Sequence, residues 1–177
     1  MQITTRAQLP AYLTNHRLTR LGVELGVASG RYSEHLLQQC PVRRLYSIDA
    51  WAGDRGHDIA QCDAATRRLS KYGTRSIVIR ARFEEALALF PDPTLDFVYI
   101  DGYAHEGNEA GQTLTTWWQK VRPGGILAGH DYHPRWEKNV AAVDAFCAGD
   151  AGRKGEIEEF FTTREDEFPS WVVRKGE

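Results

Sequence analysis

Carboxylates stand at the ends of three short apolar runs in this 177-residue sequence. Glu24 closes the apolar part of VELGVASGRYSEHL, Asp49 ends LYSID, and Asp101 ends LDFVYID. A carboxylate placed where a strand turns into a helix through glycines can accept hydrogen bonds from ligand hydroxyls and attract cationic ligand groups. These three acids are therefore the first candidates for a small-molecule binding site.

A second group of polar residues follows the fourth and fifth apolar runs, in the segments IDGYAHEG and GHDYH. Two kinds of chemistry are open to it. Asp101 and Asp131 offer the oxygen ligands that Mg²⁺ prefers, and the ion would lower the pKa of a bound hydroxyl. Alternatively, His105 or His130, assisted by Asp131, would take a proton without a metal, since the ordinary histidine pKa is about 6.5. His133 is expected to be a loop residue.

The elements that must position these residues alternate along the chain. Strand-type runs are predicted at 21–26, 44–49, 76–80, 95–101 and 124–130, and helical spacing at 58–72, 106–121 and 138–147. This alternation predicts an α/β fold, with a doubly wound, Rossmann-like and mostly parallel sheet. Residues 156–175 contain two extended segments around an acidic turn, which predicts a hairpin with an antiparallel C-terminal edge strand. The prediction is one domain over residues 1–177.

Bulk composition narrows the function classes. A net charge of -2 and a pI near 6.3 disfavour nucleic acid and acidic membranes as partners. Three scattered cysteines suggest neither a disulfide framework nor a zinc site, and fit a reducing cytoplasm. The stretch MQITTRAQLPAYL does not resemble a signal peptide, and no apolar run approaches the ~20 residues that span a bilayer. A cytoplasmic protein is expected.

The charge at the predicted strand ends selects among nucleotide-like ligands. Ligands of such sheets bind at the carboxyl ends of the strands. The spacing Glu24-x-Gly26-x-x-x-Gly30 differs from the G-x-G-x-x-G of dinucleotide enzymes, and a pyrophosphate would be repelled by three nearby acids. S-adenosylmethionine carries a ribose, an ammonium and a sulfonium but no phosphate, so it fits this set better.

Four segments make the assignment more specific: GVELGVASGRYSEHL, LYSIDAW, LDFVYIDGYAHEG and VRPGGILAGHDYH. They resemble the successive motifs of class I S-adenosylmethionine-dependent methyltransferases. Within that class they are similar to the small-molecule O-methyltransferases of the cephalosporin hydroxylase-like and macrolide-sugar group, and the resemblance covers about residues 18–147.

The resemblance implies a set of cofactor-binding residues. The turn that contains Gly26, Ala28 and Gly30 faces the methionyl end together with Glu24, while Asp49 holds the ribose. Asp101 lies beside the sulfonium and the substrate, and Tyr32 and Ser33 add contacts. The segment IRARFEEAL departs from the family pattern at Ala81 and Arg82, so no adenine contact is assigned.

The resemblance also bears on the mechanism. Catechol-type relatives have a third oxygen ligand where this chain has Tyr132, and a lysine base that is absent between Asp101 and Gly111. The expected activity is therefore methyl transfer to an oxygen of a small molecule, with a His/Asp base or an Mg²⁺ ion. Trp51 and Trp136 would form either an aromatic substrate wall or ordinary packing.

Alternatives of other classes remain open on the sequence. One is a metal-dependent hydrolase that uses Asp101, His105 and Asp131, and another is a non-catalytic module that binds the cofactor. A third, nucleic-acid methylation, is weaker because no basic stripe is present. Only a short segment precedes the first predicted strand, so either the pocket is open or the partner of a homodimer closes it.

Overall fold

The structure, a computed structural model, describes residues 2–53, 56–102, 111–149, 155–164 and 167–177. Seven strands are present there: β1 (Leu21–Leu25), β2 (Arg44–Asp49), β3 (Ser76–Arg80), β4 (Leu95–Ile100), β5 (Val121–Gly129), β6 (Ile157–Thr162) and β7 (Trp171–Lys175). The α-helices are α1 (Leu9–Asn15), α2 (Arg31–Gln39), α3 (Ile59–Leu69), α4 (Phe83–Ala86), α5 (Gln112–Lys120) and α6 (Glu137–Ala148).

All seven strands form one sheet in the order β3-β2-β1-β4-β5-β7-β6. The five strands β1 to β5 are parallel, and β7 is antiparallel to both of its neighbours. The strand order reverses between β1 and β4, which makes their carboxyl ends the expected ligand crevice of a doubly wound sheet. The predicted fold class is confirmed.

The predicted C-terminal hairpin is present, with its two strands placed according to their composition. β7 is mostly buried and lies between β5 and β6, one position in from the edge. The first four residues of β6 alternate between half-buried and exposed, Phe161 is buried, and the strand forms the edge itself. A charged, amphipathic strand suits an edge because it discourages pairing with other chains.

The two faces of the sheet are covered by different helices. Val23 and Leu25 of β1 pack in the apolar cluster that contains residues of α4, α5 and α6. The opposite cluster contains residues of α1, α2 and α3. Side chains alternate between the two faces along a strand, so Glu24, which lies between Val23 and Leu25, points to the opposite face of the sheet, towards α2. One acid is thereby placed inside the sheet–helix interface.

Two element boundaries differ from the predictions. Val121 lies in the segment 106–121 that was predicted to be helical, and this was wrong: α5 ends at Lys120 and β5 begins at Val121 rather than at residue 124. Val121 pairs with Leu95, whereas Ile126 already pairs with Phe97. The residues between them form an irregularity that contains Pro123 and two glycines, which interrupts the apolar pattern.

The third helix also differs in detail. Ile59 fits the helical spacing of residues 58–72 as an apolar position but is 54% exposed, and the buried residues of α3 are Ala65 and Leu69. The helix continues as a 3₁₀ turn, Ser70–Arg75, in which Gly73 has a left-handed φ of 56°.

No disulfide joins the three cysteines, all of which lie in the described ranges. Among the helices of those ranges, none is long and apolar enough to cross a membrane.

Candidate functional site

The glycine turn after β1 brings the chain tightly against β4. Gly26 has φ 90°, and a Cβ atom there would lie 2.0 Å from the carbonyl oxygen of Asp101, so only glycine fits. Gly30, with φ 78°, precedes the first residue of α2. Ala28 has φ 48° although it is not a glycine. Backbone strain of this kind concentrates at functional sites.

Asp49 anchors this turn. Its Oδ2 atom accepts hydrogen bonds from the amides of Val27 at 2.9 Å and Ala28 at 3.0 Å, and its Oδ1 accepts one from Trp51 at 3.0 Å. His57 Nδ1 lies 2.9 Å from Oδ2. Burial alone would raise the pKa of Asp49, but the hydrogen bonds from His57 and the three amides outweigh it and hold the pKa below its ordinary value. Asp49 is therefore a buried, ionised carboxylate.

Glu24 differs from Asp49 in its protonation state. Its side chain faces α2, is 1% exposed, and accepts a hydrogen bond from the Ser33 hydroxyl. Burial raises the pKa of Glu24 to about 8 against the opposing effect of the Ser33 hydrogen bond, and the charge of Asp101 adds to the rise. Glu24 is therefore mostly protonated at neutral pH. The expectation of three ionised acids is changed, because one is neutral and buried.

The first turn of α2 completes the wall of the pocket. Ser33 is fully buried between Glu24 and Ser47, whose hydroxyl donates to it at 2.9 Å. Tyr32 donates from its hydroxyl to the carbonyl oxygen of Arg6 at 3.1 Å and packs against the Tyr99 ring, with centroids 4.5 Å apart. Both residues therefore stabilise the wall by contacts within the protein, and their contact with a cofactor stays a prediction.

The structure brings Asp101, His130 and Asp131 together at the ends of β4 and β5. His130 Nδ1 lies 3.0 Å from Asp131 Oδ1 and 3.7 Å from Asp101 Oδ1. Asp131 is buried, with a left-handed φ of 60°, and its carbonyl oxygen accepts a hydrogen bond of 2.9 Å from Asn139. The predicted convergence of these three residues is thus present, whereas His105 lies outside the described residues.

The cluster has a donor set that a divalent cation could use. One ligand atom from each of the three residues lies within 4.8 Å of the other two. Two carboxylates suit Mg²⁺, while the imidazole is more typical of transition metals. Oδ2 of Asp101 is 3.0 Å from the Nη1 atom of Arg6, so a guanidinium already neutralises one of the carboxylates. The residues fit a metal in type, and Arg6 supplies a cation at the same place.

Two aromatic candidates and one histidine have structural roles. Trp51 is 1% exposed, packs against Val27 and Ala65, and donates from its indole to the Ala28 carbonyl at 2.9 Å. Of the two uses that the sequence left open for Trp51, the structure shows packing. Trp136 is half-buried, with the Arg135 guanidinium 5.6 Å from its ring centroid. The His133 side chain accepts a hydrogen bond from the Arg135 amide at 3.1 Å, as expected of a loop residue.

Sequence reasoning missed two residues of this site. Arg6 reaches Asp101 from a 3₁₀ turn, Arg6–Gln8, near the N-terminus, and His57 reaches Asp49 from the loop after β2. From the sequence, no functional role was expected of His57 beyond its place in a loop near the substrate, and Arg6 was not considered. Neither position belongs to a recognisable motif, so only their type, a basic side chain opposite an acid, could have indicated them.

Comparisons with known proteins agree with this geometry. Residues 23–132 match a family model described as "Methyltransferase domain". No match appears among curated proteins. An O-methyltransferase from Bacillus cereus, solved in complex with S-adenosylhomocysteine, is 14% identical with a TM-score of 0.71, covering 96% of this chain and 80% of the other.

Two further structures are similar. The O-methyltransferase TomG from Streptomyces achromogenes, involved in tomaymycin synthesis and solved with S-adenosylmethionine, is 20% identical with a TM-score of 0.67, covering 97% of this chain and 80% of the other. The N-methyltransferase NodS from Bradyrhizobium japonicum is 15% identical with a TM-score of 0.67, and the match covers 97% of this chain and 95% of the other. These likenesses show the fold, and the family match covers more than half of the chain. The protein belongs to the methyltransferase-domain family and shares the fold of these methyltransferases.

Proposed function

We propose that this protein transfers the methyl group of S-adenosylmethionine to a hydroxyl oxygen of a small molecule. The observation that carries the proposal is the cluster of Asp101, His130 and Asp131 beside the strand ends where the glycine turn and Asp49 lie. A binding module would need only the turn and Asp49. A hydrolase would need only the cluster, which leaves the turn and the family match unexplained.

Asp49 is the proposed ribose ligand. A carboxylate oxygen offers two lone-pair sites, and the described residues supply Oδ1 with one donor, the Trp51 amide. A ribose hydroxyl can therefore bind at Oδ1, and a second can replace His57 at Oδ2. Gly26, Ala28 and Gly30 would lie under the methionyl end, with Tyr32, Ser33 and Glu24 as the wall. Asp101 would face the cationic groups of the cofactor.

His130 is the proposed general base. A carboxylate 3.0 Å from Nδ1 favours the tautomer that carries its proton there, which leaves Nε2 able to accept one. As the acceptor oxygen bonds to the methyl carbon, the carbon–sulfur bond breaks, its electron pair goes to sulfur, and the hydroxyl proton passes to Nε2. Alignment of oxygen, carbon and sulfur supplies much of the rate. His105 remains a second candidate base, outside the described residues.

Mg²⁺ is the alternative means of activating the acceptor. Asp101 and Asp131, with His130, would hold it, and a bound ion lowers the pKa of a coordinated hydroxyl. Arg6 already forms an ion pair with the Asp101 carboxylate, so we favour the metal-free route.

We further propose one domain over residues 1–177, a cytoplasmic location and no nucleic-acid partner. A homodimer that closes the pocket stays a prediction.

The proposal is tested with S-adenosylmethionine labelled in its methyl group and a panel of phenols, sugar alcohols and amines. We expect an O-methyl product, an unchanged rate after treatment with EDTA, and a kcat about 100-fold lower in His130→Ala. The affinity for S-adenosylhomocysteine should stay within about twofold in that variant, because His130 acts on the acceptor. His16→Ala, at a histidine whose ring centroid lies 4.2 Å from that of Tyr12 of α1, is the matched control.

Each contrary result has a distinct meaning. Methyl transfer to amines alone would overturn the oxygen acceptor. If EDTA abolishes the activity and Mg²⁺ restores it, a metal ion rather than a histidine base activates the acceptor hydroxyl. A full rate in His130→Ala without a metal would remove His130 from the mechanism.

A further inference from the structure

Arg6 is a cation inside a pocket proposed to bind a cation. Its Nη1 atom lies 3.0 Å from Asp101 Oδ2, and its guanidinium lies 4.7 Å from the centroid of the Tyr32 ring. The carbonyl oxygen of Arg6 accepts the Tyr32 hydroxyl at 3.1 Å, and that of Ala7 lies 2.9 Å from His35 Nε2. The 3₁₀ turn that carries Arg6 is thus fixed on α2, and its guanidinium is directed at the end of β4.

The charges of the cofactor make this position informative. The sulfonium and the α-ammonium of S-adenosylmethionine are both positive, and Asp101 is the acid proposed to face them. A guanidinium 3.0 Å from that carboxylate would repel both groups. The repulsion is removed if the ligand also brings an anion to Arg6, and the one anionic group of this cofactor is its α-carboxylate.

We propose that Arg6 and Asp101 together recognise the amino-acid end of the cofactor, with Arg6 binding its α-carboxylate and Asp101 its α-ammonium. This inference rests on the proposed function. A guanidinium has five N–H donors in a planar fork, so it can hold a ligand carboxylate and Asp101 on different edges. In the ligand-free protein the two side chains neutralise each other, and in the complex each gains a partner of opposite charge.

The test compares three ligands by calorimetry. S-adenosylmethionine has both charged groups of the amino-acid end, decarboxylated S-adenosylmethionine keeps only the amine, and 5′-methylthioadenosine has neither. We expect Arg6→Ala to weaken S-adenosylmethionine binding about 10- to 100-fold, the effect of losing one charge-assisted carboxylate contact. Binding of the decarboxylated ligand should be equal or tighter, since a repelling cation is gone, and binding of 5′-methylthioadenosine should stay within about twofold.

Arg67→Ala, at an exposed arginine of α3, controls for the loss of one positive charge. If Arg6→Ala disturbs the N-terminal turn, Arg6→Lys keeps the charge without the fork and should give an intermediate preference for the carboxylated ligand. An unchanged preference in both variants would overturn the role of Arg6, as would equal weakening of all three ligands. If the wild-type protein binds none of the three, the proposed function itself fails.

Discussion

Asp49→Ala is expected to weaken S-adenosylhomocysteine binding about 100- to 1000-fold, because two ribose hydroxyls lose a charged acceptor. The same change should lower the free energy of unfolding by about 3 kcal/mol, since buried amides lose their partner. Val27, Ala28 and Trp51 donate these amide hydrogen bonds to Asp49. One side chain thus shapes the turn and, in our account, holds the ligand.

The two effects are separable by experiment. Asp49→Asn keeps one acceptor oxygen, so it should recover part of the stability while its affinity stays well below that of the wild type. Asp63→Ala, at an exposed acid of α3, controls for charge. Urea unfolding gives the stability and calorimetry gives the affinity. Wild-type affinity in a folded Asp49→Ala variant would place the ribose elsewhere.

Glu24→Gln is expected to make the protein progressively more stable than the wild type as the pH rises. The pKa of Glu24 is about 8 in the folded protein and near 4.5 in the unfolded chain. The folded state therefore holds a proton that the unfolded state has released between these values, and wild-type stability falls as the pH increases through that window. Glutamine cannot ionise, so the difference between variant and wild type should grow by about 3–5 kcal/mol from pH 4.5 to 8.

The measurement is urea unfolding of both proteins at several pH values from 5 to 9. Taking the difference at each pH cancels the titration of groups common to both proteins. Glu137→Gln, at an exposed position of α6, is the matched control and should show no comparable trend. A pH-independent difference for Glu24→Gln would mean that Glu24 is ionised in the folded protein at neutral pH.

The fold was largely predictable because apolar runs and strand-end acids follow directly from a buried parallel sheet. The positions of Asp49, Asp101 and Asp131 at the strand ends were predicted from the alternation alone. The ionisation of Glu24 was not, because it depends on which face of β1 meets α2 and on how completely Ser33 closes over it. A sequence shows that an acid is present but not how much water remains around it.

The missed contacts have a different cause. Arg6 and Asp101 are 95 residues apart, and their contact depends on how the N-terminal turn lies on α2. The hydrophobic periodicity of the sequence does not show how the N-terminal turn packs on α2. The sequence left a ligand wall and ordinary packing open for Trp51, and only its burial against Ala65 decides for packing.

The most direct test of the central claim is a crystal structure of the protein with S-adenosylhomocysteine. We expect the nucleoside at the carboxyl ends of β1, β2 and β4, with the ribose hydroxyls on Asp49 and with His57 displaced from Oδ2. The homocysteine end should lie over the Gly26–Gly30 turn, beside Asp101. A ligand bound elsewhere, or a ribose that makes no contact with Asp49, would contradict it.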